Sequence, residues 1–246
     1  MMYRITAITI WMIFSAQGLS AQAIDTVRLF NEIKQVQAMF RDKELAVDMR
    51  YTYADENRPQ AVLDSLKGNM EVTKAGSRYE MANVLCVSNS RYVIVMFRDD
   101  KLMYLSKAFP MAPVDPFQQV RAMISQGSVK SFSTEILPDA KKLLMSFDEQ
   151  APCKKIEMET DLEKGYVKSI RYVIRTEMIK GGLGELSSEE GFGEYAVVTV
   201  YFEKYRKPDG DTVRFDEHSF FYREGDEIKT TPAYSDYTIF KASTNL

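Results

Sequence analysis

The chain has 246 residues, 45% of them hydrophobic and 27% charged, with a formal net charge of −3. That length fits one ordinary domain or two small ones, and it can bury a true core. The slight negative charge, mixed in sign along the chain, argues against a nucleic-acid face, which would be basic, and against tight binding to anionic headgroups.

Arg4 is the lone charge of a short leading segment, "ITAITIWMIF" is an apolar stretch, and "LSAQA" brings small residues to Ala21 and Ala23. This is the layout of a secretory signal with an A-x-A cleavage site. Cleavage after Ala23 is expected, which leaves residues 24–246 as one domain in the periplasm or outside the cell. An uncleaved anchor is the other reading, but the apolar run is shorter than the roughly 20 residues that span a bilayer. The residue directly after the site is Ile24 and not a cysteine, so the new N-terminus is not expected to be a lipoprotein's.

Asp25 can cap a helix in which Val27, Phe30, Ile33, Val36 and Met39 or Phe40 recur at helical spacing. Strand patterns follow. Val47, Met49, Tyr51 and Tyr53 alternate with polar or small residues. "LKGNMEVTKAGSRYEMANVLC" reads as two strands folded back at Ala75-Gly76, with Leu66, Met70 and Val72 on one face and Tyr79 and Met81 continuing it. "RYVIVMF" is apolar on both faces and is expected to be buried on both. "LMYLSKA" pairs back with it across "RDDK". "FPMAPVDP" interrupts the pattern, and a short helix is expected next, capped by Asp115, with Pro116 at its first position and Gly127 past its end. Phe117, Val120 and Ile124 would share its apolar face.

The second half resumes strands: "KKLLMSFDE", then "KIEMETD" with Ile156 and Met158 facing one way, then "YVKSIRYVIRTEM" with Tyr166, Ile170, Tyr172, Ile174 and Met178 on one side. Lys180 to Glu194 form a Gly/Ser/Glu loop that is long for a hairpin. "YAVVTVYFEKY" turns Ala196, Val198, Val200 and Phe202 inward, and "HSFFY" and "YTIFKA" are candidate last strands. No βαβ alternation and no fixed repeat is visible. The expected class is therefore mainly β (α+β): an antiparallel open sheet with a helix at the N-terminus and a short central helix covering one face.

Two cysteines, Cys86 and Cys153, would meet oxidising conditions in an exported chain and are candidates for a disulfide; two buried thiols are the alternative. No metal and no cofactor is expected, and no catalytic residue. His218 is the only histidine, which removes multi-histidine zinc sites, and no G-x-S-x-G elbow supplies a nucleophile. His218 reads as a surface residue. "GGLGEL" lacks the dinucleotide spacing and reads as a loop. "PDGDTVRFDE" gathers carboxylates that calcium could use, but its spacing is not that of an EF-hand, and Pro-Asp-Gly is an ordinary turn.

What remains is a face rich in Met, Tyr and aliphatic side chains: Met49, Tyr51, Met70, Val72, Tyr79, Met81, Met158, Ile170 and Tyr172. It is either plain core or an adaptable apolar surface for a ligand, since Met refits to varied shapes and Tyr pairs an apolar body with a polar tip.

The order of an amphipathic helix, "VDMRYTY", the Gly68 to Tyr79 hairpin and "NSRYVIVMFRDDKLMYLSKA" resembles the outer-membrane lipoprotein carrier (Lol-type) superfamily, from about Ile24 to Ala108. The resemblance implies a half-open antiparallel barrel with helices lidding its concave face. It also implies non-catalytic carriage of an acylated or other apolar ligand through the periplasm. The competing expectation is an envelope interaction module whose sheet is packed solid and whose partner is another envelope protein.

Overall fold

The computed structural model describes residues 25–41, 44–108, 118–126, 128–179 and 191–243. The expected signal segment, the caps at Asp115, Pro116 and Gly127, and most of the Lys180 to Glu194 loop lie outside them.

Helix α1 (Thr26–Arg41) starts where Asp25 accepts a hydrogen bond from the Arg28 N–H at 2.9 Å, as an N-cap should. Its buried stripe is Leu29, Ile33, Val36 and Phe40, while Val27 is 70% exposed. The expected stripe began at Val27 instead. Two overlapping apolar series run through this helix, and only the direction of docking selects between them. Helix α2 (Gln118–Ser125) buries Val120, Met123 and Ile124.

Two meanders build the sheet. The first is β1 (Leu45–Asp55), β2 (Val62–Val72), β3 (Ser77–Met81), β4 (Val84–Ser88), β5 (Tyr92–Phe97) and β6 (Leu102–Lys107). The second is β7 (Val129–Ile136), β8 (Ala140–Phe147), β9 (Cys153–Asp161), β10 (Val167–Arg175) and β11 (Tyr195–Arg206). The strand β7 has no counterpart among the expected elements, because its serines, threonine and charges mask the alternation. Pairing of β1 with β11, with Tyr51 opposite Val200 and Tyr53 opposite Val198, fuses the meanders into one open, mostly antiparallel half-barrel. β12 (Phe221–Glu224) and β13 (Glu227–Thr230) form a separate hairpin, and β14 (Thr238–Lys241) adds in parallel to β6 at the sheet's edge. "HSFFY" is only partly a strand. Glu217–Ser219 is a 3-10 turn, because the Asp216 carboxylate caps it through the His218 N–H at 3.0 Å.

The two halves of the sheet are covered on opposite faces. Over β7 to β11, β1 and β2, helices α1 and α2 sit on the concave face, in one cluster with Met49, Met70, Met145, Ile156 and Met158. Over β4 to β6 the cover is on the convex face: Phe215, Phe220 and Phe221 of the C-terminal segment pack with Leu85, Val87, Ile94, Met96, Met103 and Leu105. The strand read as buried on both sides is therefore buried on one. Ile94 and Met96 are 1% exposed, whereas Val93, Val95 and Phe97 are half-buried on the concave side.

The Ala75-Gly76 turn is where it was expected. Thr73 and Gly76 exchange backbone hydrogen bonds, and a Cβ on Gly76 would stand 2.1 Å from the Ser88 carbonyl oxygen. Because backbone atoms cannot yield, Gly76→Ala is expected to lower stability by at least about 1 kcal/mol in urea denaturation. An unchanged midpoint would show that the turn relaxes freely.

Candidate functional site

Successive strands place all nine singled-out residues on the concave face. Tyr51 stands opposite Leu66, Met70 lies between Val47 and Tyr79, Ile170 opposite Met158, and Tyr172 between Ile156 and Val198. They divide by burial. Met49, Met70, Val72, Met81, Met158 and Ile170 are fully buried, between 1% and 7% exposed. All of these but Met81 belong to the cluster sealed by α1 and α2. Tyr51, Tyr79 and Tyr172 are half-buried at that cluster's margin.

The tyrosines differ in what their hydroxyls do. Tyr79 donates to the Tyr51 hydroxyl at 3.1 Å, and Met81 Sδ lies at the same distance from Tyr79. Burial raises the pKa of both phenols, so they stay neutral. Burial also raises the pKa of Tyr172, with Tyr51 and Cys153 adding to the rise.

A cleft of about 530 Å³ opens at this margin, between α2 and the concave side of β9, β10 and β11. Val120, Ala122, Met123 and Gln126 form one wall; Pro152, Cys153, Tyr172, Ile174 and Val198 form the floor; Met178 stands at the rim, 47% exposed. Its volume lies in the usual range for small-molecule sites, and among the described residues none that lines it is charged. Of the nine singled-out residues only Tyr172 reaches it. The sequence reading turned Ile174, Met178 and Val198 to the correct side but did not pick them as site residues. No signal singled out Pro152, Ala122 or Gln126, because a cleft between a helix and a sheet leaves no periodicity of its own.

Cys86 and Cys153 are free thiols. They lie on β4 and β9, six strands apart in the sheet order, about 29 Å along the sheet at the usual spacing. A bridge needs Cα atoms within about 7 Å. Burial pushes each thiol up to about 11, so neither is a thiolate at neutral pH. The Cys153 thiol donates to the Lys155 carbonyl at 3.2 Å and contributes apolar surface to the cleft.

The remaining polar clusters make contacts with one another and with neighbouring strands. His218 is exposed and bonded to Asp216 through Nδ1 at 2.8 Å, and the neighbouring Glu217 is buried against Arg91 and the Asn89 amide. Asp209 pairs with Arg214, and Asp211 accepts from the Val213 N–H at 3.0 Å. A second cleft, of about 610 Å³, has Lys130, Lys154 and Arg175 offset by Asp148, Glu149 and Glu194, with Lys154 paired to Glu56. Among the described residues no helix is long and apolar enough to cross a membrane.

No family model matches the chain, and no curated protein does. Several solved structures resemble it in fold. An uncharacterised conserved protein from Thermus thermophilus is 9% identical with a TM-score of 0.45, covering 87% of this chain and 99% of its own. A LolA superfamily protein from Nitrosomonas europaea is 11% identical with a TM-score of 0.32, over 76% and 97%. The lipoprotein LppX of Mycobacterium tuberculosis is 10% identical with a TM-score of 0.37, over 74% and 97%. The chain is thus similar in its course to LolA-superfamily and LppX structures, a likeness too distant to carry what any of them binds.

Proposed function

We propose that this chain is a non-catalytic binding protein of the bacterial envelope, exported by its leading segment, that holds the apolar chain of a lipid-like ligand between α2 and the sheet. The observation behind this reading is the uncharged cleft at Tyr172, Ile174, Cys153 and Val198. An aliphatic chain entering it gains about 0.8 kcal/mol per methylene removed from water. Among the described residues no charged group lines the walls, so the chain displaces no ion pair there. Met123 and Met178 can refit to chains of different length.

The burial of Met49, Met70, Met158 and Ile170 under α1 and α2 favours a second reading, in which the face is simply core and function lies with an envelope protein partner. Mass spectrometry of an organic extract from natively purified protein separates the two: a co-purifying lipid is expected from the first, none from the second. A substitution addresses the cleft itself. Ala122 is on the exposed side of α2, so Ala122→Trp fills the cleft without entering the core. Uptake of a fluorescent fatty probe is expected to fall about tenfold, the loss of roughly two buried methylenes' worth of contact, with an unchanged Tm. Undiminished uptake would place the ligand elsewhere.

A further inference from the structure

We propose that β14 guards one edge of the sheet: by pairing with β6 it occupies the place at which a second copy of this chain would otherwise pair, and so keeps the protein monomeric.

The two edges differ in what their sequences can tolerate. A free edge strand presents unpaired N–H and C=O groups to any other strand, and charges, bulges and short length are what blunt it. β7, at one end of the strand order, carries such means itself. Lys130, Ser131, Ser133 and Glu135 are exposed along it, and a bulge between Val129 and Ser131 breaks its register. β6 has neither a charge nor a bulge before its last residue, Lys107. Its Leu102, Met103, Tyr104 and Leu105 run in unbroken register against β5, whose six residues, "YVIVMF", hold no charge and no proline. Apolar segments of that length and β-propensity are the ones that pair between chains when their edge is left open.

β14 covers that edge. It adds in parallel, with Thr238 beside Leu102 and Lys241 beside Leu105. The Thr238 and Ala242 N–H groups donate to the Lys101 and Leu105 carbonyls, both at 2.8 Å, so the alternation of the ladder puts the Phe240 N–H on the Met103 carbonyl between them. Its side chains hold both faces of β6. Phe240 stacks on Tyr104 on the concave side, with ring centroids 5.2 Å apart, while Ile239 packs into the convex cluster with Met103 and Leu105. Just before the strand, Asp236 pairs with Lys101 at 3.4 Å, and the same ammonium lies over the Tyr237 ring. Outward, β14 presents only four residues and ends on Lys241, which makes it a poor template in its turn. A second copy is the occupant that fits an uncovered β6, because two identical strands paired edge to edge close a two-fold dimer in which each meets the same apolar sequence.

Size-exclusion chromatography with light scattering reads the mass of the purified protein. The wild type is expected at one chain's mass. Phe240→Pro removes the N–H at the centre of β14, so it is expected to open the edge and raise the mass about twofold. Tyr104→Lys, added to Phe240→Pro, puts a charge in the middle of the uncovered strand at a site already 37% exposed. It is expected to return the protein to one chain's mass. Thermal melts accompany each measurement.

A wild type heavier than one chain, or a folded Phe240→Pro that stays at one chain's mass, would overturn the proposal. So would association that the added lysine leaves unchanged, since the copies would then meet elsewhere. A Phe240→Pro chain without a cooperative melt would make β14 part of the core rather than a guard, and would overturn it as well.

Discussion

Ile170→Ala is expected to lower the stability of this protein by about 2–5 kcal/mol, and Met158→Ala by a similar amount. Both side chains are 1% exposed, face each other across β10 and β9, and sit in the cluster closed by α1 and α2. Truncation there removes apolar contacts and leaves a void that packed neighbours cannot fill. Urea denaturation reads the effect as a lower midpoint at unchanged slope. Probe uptake by the molecules that remain folded is expected to stay near the wild-type level, because neither residue lines the cleft. The opposite pattern, full stability with lost uptake, would make these residues ligand floor and the two helices a lid.

Arg214→Met is expected to cost about 2–3 kcal/mol at pH 8 and distinctly less at pH 4. Arg214 reaches from the C-terminal segment to Glu71 on β2 at 2.8 Å and also pairs with Asp209. The Glu71 side chain is 8% exposed, and that of Arg214 is 27% exposed. Removing one partner of a buried pair leaves the other charge uncompensated, and the partial exposure of Arg214 moderates the loss below the range for a fully buried pair.

The pH dependence follows from Glu71. Burial raises its pKa above the ordinary carboxylate value, while Arg214 opposes the rise, with smaller help from Arg78 and Arg206 and a counter-push from Asp209. A carboxyl raised in the folded state contributes stability below its unfolded pKa and loses it as pH climbs through the folded value. Without Arg214 the folded value climbs further, so ionisation costs more at pH 8. At pH 4 the carboxyl holds its proton in both proteins and the difference shrinks. A loss that stays constant between pH 4 and pH 8 would show that the arginine stem, not its charge, anchors the C-terminal segment.

That anchor ties down the segment that covers β4 to β6, and nothing in the local pattern announced it. The sequence between Asp209 and Glu217 read as turns and carboxylates. In the fold its Phe215 is 2% exposed over β4 to β6, and Arg214 and Glu217 are its ties to Glu71, Asn89 and Arg91. Long-range partners of this kind leave no periodic trace. The disulfide expectation failed for a related reason. Exported context makes two cysteines candidates, but strand order sets their separation, and strand order depends on the β1–β11 pairing that joins the two meanders.

Local chemistry was legible in the chain alone: the Asp25 cap, the hairpin at Gly76, the alternation that turns Met70, Tyr79, Ile170 and Tyr172 to one face, and the absence of a multi-histidine or serine-nucleophile motif. Each of these is a matter of residue type, of backbone dihedrals or of a period of two or 3.6 residues, which neighbours along the chain can set. Which part of that face is core and which is cleft emerged from the packing of elements distant in the chain. Helices α1 and α2 seal the sheet over Met49, Met158 and Ile170 but stop at Tyr172 and Val198, and where a helix stops covering a sheet depends on how the two dock.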